Sequence, residues 1–344
     1  MIRSISKRYQ NLLNRRAPAA DRLVVEFAEA YEKEPGEHTK YILGACRPVD
    51  SKYTQRLLDQ GDRVENQLQK RISDRYPGIE FRRQGSVSNN THIKYYSDID
   101  VLTIIDRFVT IQHPQVPRIP YQGIPVDDLL VLRRNCVAEL GDAFPKATVD
   151  DTGSTAISIS GASLVCKVDV VPSNWFDTNA FAQSNLEHTR GIMVLNKDEM
   201  ERKTNFPFLF NHLLNEFDSS RSGVPRMLIR LLKTIRADAT DEGNKIDFSS
   251  YDICSIVYRM PNALYTLNLK SPLDLFRNLL VWSERLISES ALRDSLLVID
   301  ETRKIFDEGR KVTELRKLHA EAVELYNGAV QEHPYSFITE ALTA

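Results

Sequence analysis

No stretch of this 344-residue chain approaches the roughly 20 consecutive apolar residues that a membrane-spanning helix needs. Its first residues carry Arg3, Lys7, Arg8, Arg15 and Arg16 with no apolar segment behind them, so no secretory signal and no membrane partner are expected, and a cytoplasmic location is. Cysteine is scarce. Cys46, Cys136, Cys166 and Cys254 lie far apart, without a Cys-x-x-Cys pair or a histidine cluster. That excludes a disulfide framework and a zinc site and leaves reduced core thiols. An excess of one charge is also missing: 45 basic residues against 47 acidic give a net charge of −2. A protein that tracks long nucleic acid would carry a broad basic field. The basic segment from Met1 to Arg22 therefore reads as a solvated helix face, and no obligatory nucleic-acid partner is expected. Internal repeats and low-complexity tracts are absent too, while a hydrophobic fraction of 42% suffices for the cores of two ordinary lobes.

What the chain does have is Gln84-Gly85-Ser86, followed by Asp98-Ile99-Asp100 and the apolar run Val101 to Ile105. The run predicts a buried strand, and residues two apart on a strand point the same way, so Asp98 and Asp100 share a face. Two adjacent carboxylates repel and are costly to desolvate, so an apolar strand rarely carries such a pair unless a cation neutralises it. Magnesium, which takes a few carboxylates together with phosphate oxygens, suits that role, with manganese as a substitute.

A third acid follows. Ser163 to Pro172 has the β-branched content of a strand and ends on proline, with Asp169 near its end. Thr155 to Ser160 reads as the strand before it, and Gly161-Ala162 as a two-residue hairpin turn between them. Such a hairpin would return Asp169 beside the Asp98/Asp100 strand. Each element alone has a plain reading: Gly-Ser as an ordinary turn, Asp-x-Asp as a solvated edge, Asp169 as a partner of Lys167 or Arg190. Together, in this order, they describe a two-metal phosphoryl-transfer site.

With Thr91 before the acids and Val168-Asp169-Val170-Val171-Pro172 after them, this pattern resembles the DNA polymerase β-like nucleotidyltransferases. Within that superfamily it is most similar to the bacterial cyclic-oligonucleotide synthases related to animal cGAS. The resemblance implies that Asp98, Asp100 and Asp169 bind the metal and that Gln84, Gly85 and Ser86 lie against the triphosphate. In the helix predicted around Pro225 to Arg236, Arg226, Arg230 and Lys233 form a basic stripe, which by itself suits a solvated face. The resemblance instead puts Lys233 on the triphosphate, and Ser250 and Tyr251 on phosphate and base. A serine there also suits a plain helix N-cap, and Tyr251 a first-turn core residue.

The fold expected is α+β: a polymerase β-like nucleotidyltransferase lobe with a mixed sheet, over 1–200, and a helical lobe, over 201–344, with a nucleotide cleft between them. The polar stretch Ser173 to Phe206 should hold the boundary, with no strands beyond it. Helices are expected over Asp21 to Glu32, through Tyr53, Leu57, Val64, Leu68 and Ile72, over Val126 to Phe144, over Leu273 to Ser288 after a Ser271-Pro272 start, and over Leu292 to Tyr326. His113 to Pro125, with four prolines, should be an exposed loop. The resemblance implies nucleoside triphosphates as substrates, a cyclic di- or trinucleotide messenger as product, a role in anti-phage signalling, and a downstream effector that binds the product. A linear nucleotidyltransferase acting on RNA or protein, and a non-catalytic nucleotide-binding scaffold, remain open alternatives.

Overall fold

The structure is a computed structural model that describes residues 5–13, 36–94, 96–266 and 272–332. The helix expected over Asp21 to Glu32 and the cap at Ser271 lie outside the described residues. The chain divides into two compact units, and the division does not fall at one point near residue 200. One unit comprises Lys52–Asn90 and Ser97–Leu213; the other comprises Met1–Ser51, Thr91–Tyr96 and Leu214–Ala344.

The first unit is built on a mixed seven-stranded sheet of β1 (Glu80–Gln84), β2 (Ile99–Ile111), β3 (Thr148–Asp150), β4 (Ile157–Ser160), β5 (Val168–Asp177), β6 (Gly191–Asn196) and β7 (Glu201–Asn205). Its order is β1-β2-β5-β4-β3, with β6 also on β5 and β7 on β6. Strand β2 pairs antiparallel with β1 and parallel with β5. Period-two patterning sends Ile99, Val101, Ile105, Val168 and Val170 to one face, where they pack with Leu57, Val64, Leu68 and Ile72 of the helix Ser51–Ile72 and with Leu129, Leu132 and Leu140 of the helix Pro125–Ala143. Leu102, Ile104, Val171 and Trp175 turn to the opposite face, into a smaller cluster with Ile192 and Val194. Asp100 and Asp169 share that opposite face because they stand two residues from Leu102 and Val171.

Three expectations change here. The hairpin turn is not two residues: β4 and β5 pair antiparallel with Ser158 opposite Asp169, so Gly161 to Lys167 form a longer connection and the strand begins only at Val168. Pro172 does not end the strand either. On that edge of β5 it falls between the β4 ladder, last paired at Val170, and the β6 ladder, first paired at Ser173, where a missing N–H breaks no bond to either neighbour. Finally, β6 and β7 lie beyond Ser173, inside the stretch expected to be a boundary.

The second unit is helical in its described residues. Its helix Val224–Asp241 is buried along nearly all its length, including Arg230 and Lys233, so the basic stripe is not a solvated face. The Arg230 guanidinium donates from Nε to the Cys46 carbonyl at 2.9 Å, and Asp238 accepts from the Tyr41 hydroxyl at 2.6 Å. Arg8 reaches Glu242 at 2.6 Å and Glu321 at 3.0 Å. The helix expected over Leu292 to Tyr326 is broken: Ser290–Ser295 and Arg310–Glu332 are helical. Between them the chain folds back, Val298 N–H bonding Arg303 and Ile305 N–H bonding Leu296, both at 3.0 Å. Asp300 accepts from the Thr302 hydroxyl at 2.7 Å, the local side-chain bonding that favours a turn over a helix. Cys46, Cys136 and Cys254 are buried free thiols, and Cys166 is half-buried and free. Among the described residues no helix is long and apolar enough to cross a membrane.

Candidate active site

The register of the sheet sets one row of side chains across four strands. Gln84 lies opposite Asp100, Asp100 opposite Asp169, and Asp169 opposite Ser158. Asp98 precedes β2 by one residue, where Ile99 N–H already bonds the Lys167 carbonyl at 3.2 Å. The three acids thus meet as the spacing requires.

Each is held differently. Asp169 is 15% exposed in its side chain and accepts from the Ser158 hydroxyl at 2.5 Å. Asp98 is more open at 42%. The Lys167 ammonium bridges the two, 2.9 Å from Asp98 and 3.0 Å from Asp169. Burial alone would lower the pKa of that ammonium, but its hydrogen bonds to the two carboxylates and their charge outweigh burial and raise it. Asp100 has no such partner in the row. Burial first, then the charges of Asp169 and Asp98, push its carboxyl up to about 7 against the opposing pull of Lys167.

Gly85 explains why the turn before the acids carries glycine. Its φ of +86° is one that side chains avoid, and a Cβ there would lie 2.1 Å from Asp100 Oδ2. Ser86 follows in the single helical turn Gly85–Ser88, and Val87 anchors that turn in the core. Gln84 ends β1 and accepts from the Asn205 amide at 3.4 Å.

The acids fit a divalent cation. Two of them already grip an ammonium, and the third is held back from ionising by burial first and then by the negative charge of the other two. Among the described residues no three carboxylate, histidine or cysteine side chains are gathered closely enough to hold a metal as they stand. The Lys167 ammonium occupies the place between Asp98 and Asp169 for which a cation would compete.

The remaining expected residues lie in the helical unit. Lys233 is 3% exposed, and its ammonium donates to the Thr91 carbonyl at 2.8 Å. Burial, and beyond it the charges of Arg236 and Arg230, lower its pKa to about 8 against a raising effect of Cys254. Ser249, not Ser250, is the N-cap, its hydroxyl accepting from Asp252 N–H at 3.0 Å. Ser250 accepts from Arg236 at 3.0 Å. Tyr251 sits under the Arg303 guanidinium, 5.4 Å from its ring centroid; burial first, then a hydrogen bond with Asp300, raises the pKa of its hydroxyl.

Sequence reasoning missed Ser158. The Ile157-Ser158-Ile159-Ser160 alternation marks it as sharing a face with Ser160, but a two-residue turn would set it opposite Val165. Only the longer connection brings it to Asp169.

Comparison with known proteins supplies the family. Residues 65–157 match the nucleotidyltransferase domain, and residues 219–327 match the cGAS/DncV-like nucleotidyltransferase C-terminal helical domain. Over 90% of its length, covering 80% of the relative, the chain is 36% identical to the cyclic dinucleotide synthase CdnE of Yersinia aleksiciae. The chain belongs to the cGAS/DncV-like nucleotidyltransferases. It is 29% identical to a c-di-GMP synthase of Capnocytophaga granulosa over 94% of this chain and 97% of that one. The solved structure of that organism's STING-associated CdnE c-di-GMP synthase superposes with a TM-score of 0.76, covering 94% of this chain and 98% of the other. A STING-associated CdnE c-di-GMP synthase from Flavobacteriaceae sp. shares the fold at 22% identity, with a TM-score of 0.77 over 95% of this chain and 98% of the other. As a cGAS/DncV-like nucleotidyltransferase the chain is an enzyme, with the mixed sheet and helical region of that family.

Proposed function

We propose that this enzyme is a magnesium-dependent synthase that joins ribonucleoside triphosphates into a cyclic di- or trinucleotide second messenger, used in bacterial anti-phage signalling and read by an effector that binds the product. The observation that carries the reading is the parallel pairing that sets Asp100 beside Asp169 in a chain 36% identical to a cyclic dinucleotide synthase. Asp98, Asp100 and Asp169 would hold the metal. Bound there, magnesium would lower the pKa of an attacking ribose hydroxyl and neutralise phosphate charge.

The chain's own groups do the rest. Gly85 keeps the turn clear of a side chain, so that the backbone N–H groups of Gly85 and Ser86 can approach phosphate oxygens. Ser158 fixes the rotamer of Asp169 through its short hydrogen bond. Lys167 neutralises Asp98 and Asp169 until it is displaced. Ser250 and Tyr251 serve as contacts to phosphate and base. Lys233, already bonded to the Thr91 carbonyl, acts as a positioning residue that holds the Thr91 segment.

The test incubates the purified full chain with the four ribonucleoside triphosphates and magnesium, then treats the products with phosphatase before mass spectrometry. Phosphatase-resistant cyclic products are expected from the wild type, and none from Asp98→Asn or Asp100→Asn. Products with free ends would replace this reading with a linear transferase. Nucleotide binding without turnover would replace it with a scaffold.

A further inference from the structure

A cavity of about 430 Å³ opens in the sheet unit, walled by the apolar Phe144, Pro145 and Leu164 together with Arg63, Lys146 and Ser163. Its size falls in the range of small-molecule sites, which are mostly apolar with a few placed polar groups. Arg63 is fixed at the wall: its Nη1 donates to Ser163 Oγ at 2.8 Å, and its guanidinium lies over the Phe144 ring, 5.1 Å from the centroid. Among the described residues neither Arg63 nor Lys146 pairs with a carboxylate. One such cation is ordinary on a surface. Two lining one apolar recess with a hydroxyl between apolar walls match a ligand that joins an anionic head to an apolar body.

The wall also leads to the acids. Ala162, Ser163 and Leu164 line the cavity and belong to the connection that ends at Lys167, three residues beyond Leu164. Ala162 is held at φ +54°, a left-handed conformation that costs an alanine about 1 kcal/mol or more. A ligand that presses on this wall acts on a strained segment whose far end carries the ammonium bridging Asp98 and Asp169.

We propose that this cavity binds a small anion with an aromatic or short aliphatic body, a phosphate monoester or a carboxylate, and that its occupancy changes turnover at the acidic site. The second half rests on the synthase reading above. The first half stands without it.

The test is calorimetric titration of the full chain with phenyl phosphate and with benzoate, in the wild type, Arg63→Gln and Lys146→Glu, alongside inorganic phosphate and benzyl alcohol as head-only and body-only probes. Saturable binding of at least one aryl anion is expected, weakened by at least about tenfold in Lys146→Glu, with both partial probes binding more weakly. Which of phenyl phosphate and benzoate binds tighter tells which head the site takes. Pyrophosphate release by the wild type should change with the same half-saturation, and release by Lys146→Glu should not. Absence of saturable binding, or binding that neither substitution alters, overturns the site. Binding that leaves wild-type turnover unchanged overturns the regulatory half. A protein that turns over nothing under any condition counts against the synthase reading, and the titrations still decide the cavity.

Discussion

Replacing Asp100 by asparagine should stabilise the metal-free protein while destroying its activity. In the folded chain the Asp100 carboxyl is raised from 3.8 to about 7, by burial first and then by Asp169 and Asp98. A raised carboxyl binds its proton more tightly when folded. The wild type therefore carries no penalty below pH 3.8, loses stability as the pH rises from there to about 7, and keeps the full penalty above that. Raising a carboxyl that far corresponds to an upper bound of about 4 kcal/mol. The side chain keeps some exposure, and relaxation of the acids and water would recover roughly half, leaving about 2 kcal/mol. For a unit of this size that is an increase in Tm of roughly 4–8 °C.

The assay is thermal unfolding of wild type and Asp100→Asn in EDTA across pH 4.5 to 8.5, read as the difference between the two. It should grow with pH and level off above 7. Adding magnesium should narrow it, because only the wild type has the full set of carboxylates to bind the ion, while turnover of the variant falls at least about 100-fold. A variant less stable than wild type at pH 8 in EDTA, or a difference that does not change with pH, would refute the electrostatic account of the site.

Other perturbations probe the neighbouring groups. Lys233→Met should remove a charge whose pKa is depressed to about 8. The wild type should then gain stability relative to the variant as pH rises from 8 toward 10.5, and a flat difference in Tm would deny that the ammonium is buried in solution. In steady-state assays, Lys233→Ala should cost stability with the nucleotide KM little changed; a large rise in KM at unchanged Tm would return Lys233 to direct nucleotide contact. Gly85→Ala should abolish turnover, since its Cβ would displace the Asp100 carboxylate; near-normal activity would remove Asp100 from the reaction. Titrating duplex DNA, duplex RNA and single strands into nuclease-treated protein should leave pyrophosphate release unchanged, whereas saturable stimulation lost at high salt would reveal a nucleic-acid activator.

The candidate site was legible because its determinants are local. Two aspartates entering an apolar run share a face whatever the rest of the chain does, and glycine before them signals a turn no other residue fits. Register was not legible. Gly161-Ala162 announces a turn, but Ser163 to Lys167 looks like strand while Leu164 is buried and Val165 is 54% exposed, so only the tertiary fold reveals a connection of seven residues. Strand β7, Glu-Arg-Lys-Thr-Asn, has no apolar alternation and exists by pairing with β6. The burial of the stripe on the helix Val224–Asp241 was not legible for a related reason: the carbonyls that accept from Arg230 and Lys233 come from Cys46 and Thr91, 184 and 142 residues away.

The parallel pairing of β2 with β5 also sets when the row of acids can assemble. Asp100 and Asp169 are neighbours in the sheet but 69 residues apart in the chain (169 − 100), and closing a loop of that length costs about 4 kcal/mol before any contact repays it. A nascent chain that has emerged only as far as Lys167 already carries Asp98 and Asp100, yet it has neither Asp169 nor the strand that would place it. Until β5 has left the ribosome and docked on β2, the row of side chains that the register sets across the sheet lacks Asp169.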